Sequence, residues 1–274
     1  MAEVPTLSTD SEAHGSVIFV GGIGVWPGLA QPVFERVKVT RPSMSVCQLN
    51  PLERVAVTRS IRMENLVEVI RHQVQLSVAP VTLIAESFDA TLVLALALDP
   101  PSQLASAVVH EPCVGHHEPD LFESTMQGCD RFLSADDPAD GAEHLVRHLI
   151  GDDSWSRLHP SARGYTRYEA PALRTILPLL ASWDPDSLEP GVPIIATVGR
   201  QSSPMRHRAA LALADAGAWQ AVVGRGHLVS VDAPSALADI ALVAINAAEV
   251  RFREGITGRP MTPPEELSGG RLTA

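Results

Sequence analysis

The sequence predicts an α/β protein: a mostly parallel, doubly wound sheet with a helical lid inserted between two of its strands. Five short β-branched runs, at 16–20, 80–84, 106–110, 192–198 and 219–223, are each nearly continuous in apolar residues, as strands buried on both faces are. Helical patterns follow most of them, and strands alternating with helices build a parallel sheet covered on both sides. The length, 274 residues, suits one large domain carrying an insertion.

Taken in order, the run at 16–20 leads into a glycine-rich stretch, Gly21-Gly22-Ile23-Gly24. The segment 63–75 places Leu66, Val67 and Ile70 on one helical face, and 90–98, rich in Ala and Leu, is a strong helix former after the strand at 80–84. After 106–110 the rhythm breaks. Between 114 and 186 there are several prolines, four acidic residues from Asp136 to Glu143, and helical pieces at 141–150 and 171–182, but no strand pattern. A helical insertion covering a site at the strand ends fits this segment. The strand–helix alternation then resumes, with alanine-rich helices at 205–216 and 235–250. The expected organisation is a core of 15–113 and 187–254, a lid of 114–186, and loose polar ends at 1–14 and 255–274.

Composition excludes several classes of function. A net charge of −11 opposes binding to phosphate backbones, so no nucleic-acid partner is expected. No apolar run reaches the roughly 18 residues of a membrane span, so no membrane role is expected either. The three cysteines, Cys47, Cys113 and Cys129, have neither zinc-site spacing nor the even number of a disulfide framework. Residues 1–14 lack a basic stretch followed by an apolar one; with the cysteines, this predicts a cytoplasmic protein.

The segment 80–98 carries the most chemistry: an apolar strand, a turn of small residues around Ser87, then a helix. Such a turn lifts a serine hydroxyl above the sheet and aims the following amides at an anion. Here the chain resembles the α/β-hydrolase superfamily, whose nucleophile elbow is written G-x-S-x-G. This sequence reads Ala85-Glu86-Ser87-Phe88-Asp89, with both outer glycines replaced. A second segment, 219–234, looks like the family's histidine loop: a strand, the tight turn Gly224-Arg225-Gly226, His227, and a helix near Pro234. Ser87 and His227 stand in the family's chain order, far enough apart to hold the lid and two strand–helix units. The pairing has a chemical reason, since a serine hydroxyl is a weak nucleophile until an adjacent imidazole takes its proton. A third match is the strand 16–20 with its glycine loop, the family's source of a second oxyanion donor. The resemblance therefore implies an oxyanion hole made by the amides of Ile23 and Phe88. The same loop does not fit the dinucleotide pattern G-x-G-x-x-G, and no cofactor is expected.

The family's commonest acid site follows the strand 192–198, where this chain has Gly199-Arg200-Gln201-Ser202-Ser203-Pro204 and no carboxylate. Members lacking that acid use one after the preceding strand, which here points to Glu111. Asp232, read as beginning the last helix, and Asp89, read as facing the helix packing, are the weaker choices. A metal site is not expected: His144 and His148, or the cluster His110, Cys113, His116 and His117, match no zinc pattern. Set against the full family pattern, the resemblance implies that the strand at 16–20 corresponds to the third strand, and the leading hairpin is not expected here.

The resemblance implies a serine hydrolase of a small, fairly apolar ester, lactone or thioester. Ser87 would attack, His227 would carry the proton, and Glu111 would orient the imidazole. Serine rather than aspartate at the elbow speaks against dehalogenase or epoxide-hydrolase chemistry. Two other readings stand beside it: a non-hydrolytic tailoring enzyme, a cyclase or lyase, with His227 as base, and a catalytically inactive ligand-binding member. The expected partner is a small-molecule substrate; oligomeric state is left open, a homodimer included.

Overall fold

The computed structural model describes residues 14–21, 27–55, 61–114, 119–181 and 183–254. Six strands form one sheet: β1 (Ser16–Val20), β2 (Ser45–Leu49), β3 (Val81–Glu86), β4 (Leu104–His110), β5 (Ile194–Val198) and β6 (Trp219–Val222), in the order β2-β1-β3-β4-β5-β6. Every neighbouring pair is parallel, so the doubly wound parallel sheet expected from the sequence is present. All residues of β1, β3, β4 and β5 are buried, which explains their unbroken apolar runs. The sequence reading missed β2. It is an edge strand, half-buried over four of its five residues, and Ser45 and Gln48 interrupt the apolar signal.

The period of two along each strand divides the core into two layers. Ile18, Val20, Leu83, Ala85, Ala107, Val109, Ile194 and Ala196 join one cluster, while Val17, Phe19, Ile84, Val108 and Ile195 join the other. The helices α1 (Gln31–Thr40) and α11 (Pro234–Glu254) close the second layer with Val33, Phe34, Val37, Leu237, Ala241 and Ala244. The first layer is closed by α3 (Met63–Leu76), α4 (Ser87–Leu98) and α9 (Pro204–Asp215), the short helix α2 (Pro51–Arg54) lying next to α3. α4 begins at Ser87, three residues before the predicted start, and eight of its residues are buried, so it is a core helix without a polar face.

Between β4 and β5 lie α5 (Pro119–Leu133), α6 (Pro138–Ile150), α7 (Asp152–Arg157) and α8 (Pro160–Ala181). Asp137 caps α6 by accepting the Ala139 N–H at 2.8 Å, with Pro138 at the first helical position. The sequence reading missed α5 and started α8 at Pro171, because an internal proline normally marks a helix start or break. Here the helix runs through both Pro171 and Pro178. Phe132, Ala142, Leu145, Leu173, Ile176 and Leu177 merge with the main core under α4, so these helices share that core. Only Val146, Trp155, Leu158 and Ala162 make a separate small cluster.

The chain leaves β1 for β2 on one side and returns to β3 on the other. Reversal of the winding direction opens a crevice at the carboxyl ends of β1 and β3, where sheets of this kind place their ligands. After β6 come α10 (Val229–Asp232) and α11. Among the described residues, no helix is long and apolar enough to cross a membrane. The loose ends expected at 1–14 and 255–274 fall outside the described residues apart from His14.

Candidate active site

Two residues other than glycine have positive φ among those described: Ser87 at 57° and Glu111 at 50°. Such strain persists only where the surroundings impose it, and it concentrates at functional sites. The register of the sheet explains their pairing. Glu86 of β3 lies opposite His110 of β4, so Ser87 and Glu111 each stand one step past the carboxyl end of neighbouring central strands. At Ser87 the chain turns from extended Glu86 straight into α4.

His227, on the turn after β6, lies between these two side chains. Ser87 Oγ is 2.7 Å from its Nε2, and Glu111 Oε2 is 2.7 Å from its Nδ1. A carboxylate can only accept, so His227 donates Nδ1–H to Glu111 and leaves Nε2 free to accept the Ser87 proton. The structure thus brings together the serine, histidine and acid singled out in the sequence.

The loop after β5, which lacks a carboxylate, supplies donors to one. Glu111 Oε1 accepts the Gly199 N–H at 2.9 Å and the hydroxyl of Ser202, while the Arg206 guanidinium approaches Oε2 at 3.3 Å. The Glu111 side chain has no exposed surface. Burial by itself would raise its pKa, but the His227 hydrogen bond and the charges of His227, His110 and Arg206 hold it well below the usual carboxylate range. Burial, and then the nearby Arg206 cation, lower His227 to about 4 despite its bond to Glu111, so its imidazole is neutral at neutral pH, with Nε2 open to a proton.

Gly199 lets the two loops meet. A Cβ there would lie 2.6 Å from the Gly226 carbonyl and 2.6 Å from Ser202 Oγ. Gly199→Ala is therefore expected to cost about 1–3 kcal/mol in a urea titration, because backbone must shift to admit the methyl. A variant as stable as the wild type would mean that the loops separate freely.

The histidine loop is held at further points. Glu86 Oε1 accepts the Ser230 N–H at 2.8 Å, and Asp232 Oδ2 accepts the Gly226 N–H at 3.1 Å. His110, fully buried, lies 3.1 Å through Nε2 from the Gly226 carbonyl and 2.9 Å through Nδ1 from Thr197 Oγ1. A carbonyl cannot donate, so Nε2 carries the proton and Thr197 donates to Nδ1. Adjacent residues of β4's end thus grip adjacent residues of the loop, His110 holding Gly226 and Glu111 holding His227. Burial lowers the His110 pKa, keeping it neutral, and raises that of Glu86 to about 7.

The remaining sequence candidates divide as follows. Phe88 is the second residue of α4, where N–H groups have no intrahelical acceptor, and it lines the cleft beside Ser87. Ile23 lies outside the described residues. Asp232 ends α10 instead of beginning the last helix, because Pro234 starts that helix, and its carboxylate serves the Gly226 amide. Asp89 is buried in the first turn of α4. His144 and His148 are exposed, His116 and His117 lie outside the described residues, and no metal-binding group occurs among the residues described. Sequence reasoning missed Glu86, Ser202 and Arg206. Nothing in their spacing marks them, since each acts through a contact between loops distant in sequence.

Over the site lies a cleft of about 840 Å³, bounded by Ser87, Phe88 and His227 below, Leu145 and Leu149 of α6, and Met205 of α9. No family model matches the chain, and no curated protein matches its sequence. Solved structures do. MenH from S. aureus superposes with a TM-score of 0.66 at 13% identity, over 87% of this chain and 96% of that one. A thermophilic esterase from Thermogutta terrifontis gives 0.65 at 15%, over 86% and 91%, and an alpha/beta hydrolase from Sphaerobacter thermophilus 0.59 at 17%, over 82% and 90%. At such identities the likeness concerns the fold, and the fold is that of the α/β-hydrolases.

Proposed function

We propose that this chain, with its α/β-hydrolase fold, is a serine-dependent hydrolase of a small ester, lactone or thioester. The observation that carries the reading is the continuous Ser87–His227–Glu111 chain, with 2.7 Å at each link, at the carboxyl ends of the central strands. Ser87 Oγ attacks the carbonyl carbon while its proton passes to His227 Nε2, and Glu111 stabilises the imidazolium. The tetrahedral intermediate collapses, and the departing alcohol or thiol takes the proton from His227. Water then attacks the acyl-serine with His227 as base, releasing the carboxylic acid and restoring Ser87. The Phe88 amide is one oxyanion donor and the Ile23 amide the second, each worth about 2.7–4 kcal/mol in the transition state. Helices α5 to α8 serve as a lid over the cleft. No cofactor enters these steps.

Labelling with a fluorophosphonate tests this without knowledge of the substrate, since only an activated serine displaces fluoride at a useful rate. Intact mass should report one adduct on the wild type and none on Ser87→Ala or His227→Ala. An unlabelled wild type, or labelling that survives Ser87→Ala, would sink the proposal and favour the non-hydrolytic or ligand-binding reading.

A further inference from the structure

Arg206 is not explained by orienting Glu111 alone. That carboxylate already receives His227 Nδ1–H, the Gly199 N–H and the Ser202 hydroxyl, and the Arg206 contact at 3.3 Å is the longest of the set. The guanidinium donates from Nη1 to the Glu111 carbonyl at 3.3 Å and sets Nε 3.3 Å from Glu111 Oε2 as an ion pair, and Nη2 makes no hydrogen bond among the described residues. Glu111 is sealed, but the Arg206 side chain is 16% exposed and lines the cleft that contains Ser87. It stands in the first turn of α9, where the helix dipole disfavours a cation.

Charge makes the same point. In an ordinary site the histidine–acid pair is singly negative at rest and neutral once histidine takes the serine proton, the negative charge passing to the oxyanion. With Arg206 beside it, this group is neutral at rest and singly positive when His227 is charged, so the guanidinium opposes the step that the mechanism needs. The groups bearing on His227 are Glu111 and His110 from the end of β4 and Arg206 from α9, and the two basic ones disfavour its charged form. An anion against Nη2 would restore the ordinary balance. To do so in both acylation and deacylation it must remain on the enzyme after the leaving group departs, and so belong to the acyl part of the substrate. Two more guanidinium groups, Arg157 of α7 and Arg225 of the histidine loop, line the same cleft. Of the cleft's carboxylates, Asp152 is paired with Arg147 and Asp232 is engaged by the Gly226 amide, while Asp153 lies at the α7 side.

We propose that the cleft takes acyl substrates bearing a carboxylate on the acyl chain, and that Arg206 is the specificity-determining residue that binds it, as planar guanidinium groups bind carboxylates. This rests on the serine-hydrolase reading above. The expected substrate is a half-ester or half-thioester of a dicarboxylic acid, with an apolar chain lying along Phe88, Leu145 and Met205.

Two probes of the same length separate the possibilities: mono-4-nitrophenyl adipate, and its methyl ester with the carboxylate capped. The wild type should cleave the free acid with a kcat/KM at least tenfold above that of the capped probe, part of the gain lying in kcat. In Arg206→Gln the ratio should fall to near one, and Arg206→Lys should keep part of it; the lysine variant also serves if the glutamine variant fails to fold. A merely structural role for Arg206 would slow both probes alike. Equal cleavage of the two probes by the wild type, or a preference that survives both substitutions, overturns the proposal and leaves the hydrolase reading standing. Cleavage of neither probe, together with no fluorophosphonate adduct, overturns the hydrolase reading and this proposal with it.

Discussion

Glu111→Gln is expected to lower kcat/KM for ester hydrolysis about 10⁴-fold, the loss typical when the acid of a serine triad becomes an amide. The surroundings of Glu111 explain why so conservative a change costs so much. Its carboxylate sits among donors: His227 Nδ1–H on one oxygen, the Gly199 amide and Ser202 hydroxyl on the other, and Arg206 alongside. An amide cannot accept from all of them. With its oxygen toward His227, its NH₂ meets the Gly199 N–H, donor against donor. With its NH₂ toward His227, the imidazole must place its proton on Nε2, and it can no longer accept from Ser87. The substitution also removes the anion that faces a largely buried guanidinium, so the stability of the variant is measured alongside. The comparison variant is Asp232→Asn. Asp232 holds Gly226 and not His227, and its loss should cost well under a hundredfold. If Asp232→Asn proved the more damaging of the two, the acid of the site would have been misplaced.

Most of the fold was legible because the central strands are buried on both faces and so read as plain apolar runs. Edge strand β2, with Ser45 and Gln48 in a half-buried register, gave no such signal, and α8 was shortened because Pro171 reads as a boundary. In the site, Ser87 and His227 were visible through local patterns of a strand, a tight turn and a helix. Glu111 was reached by noting that 199–204 carries no acid. What the chain does not disclose is the purpose of that acid-free loop. Gly199, Ser202 and Arg206 act as a bed for a carboxylate 88 or more residues earlier, and such a relation exists only once β4 and β5 lie side by side. Glu86 was hidden differently. It occupies a variable position of the elbow, and its bond to the Ser230 amide crosses 144 residues.

Glu86→Gln should steepen a pH dependence of stability that the wild type partly conceals. His227 and Glu86, both buried near Ser87, are displaced in opposite directions, His227 from 6.5 down to about 4 and Glu86 from 4.5 up to about 7. For His227 the folded state prefers the neutral ring. Its contribution is complete above pH 6.5 and is lost as pH falls toward 4, a change of about 3 kcal/mol. For Glu86 the folded state prefers the protonated acid, because burial outweighs the Ser230 hydrogen bond and the Glu111 charge adds to the penalty. Its contribution is complete below pH 4.5 and is lost as pH rises through about 7, again by about 3 kcal/mol. Between 4.5 and 6.5 these two slopes oppose each other, the displacement of Glu111, lying lower, leaves that window nearly untouched, and buried His110, lowered like His227, adds a second slope of the histidine sign. Urea unfolding of the wild type should accordingly show stability falling as pH drops across it, by the share of His110 alone. In Glu86→Gln the amide can still accept from Ser230 but does not titrate. Stability should then fall by at least about 3 kcal/mol from pH 7 to pH 4, and exceed that of the wild type above pH 8. His227→Gln should lose less stability than the wild type as pH falls from 7 to 5, because Glu86 is then opposed by His110 alone. Profiles of equal slope in the wild type and both variants would mean that neither group is held in its buried, neutral form, and that the elbow and the histidine loop open to water together.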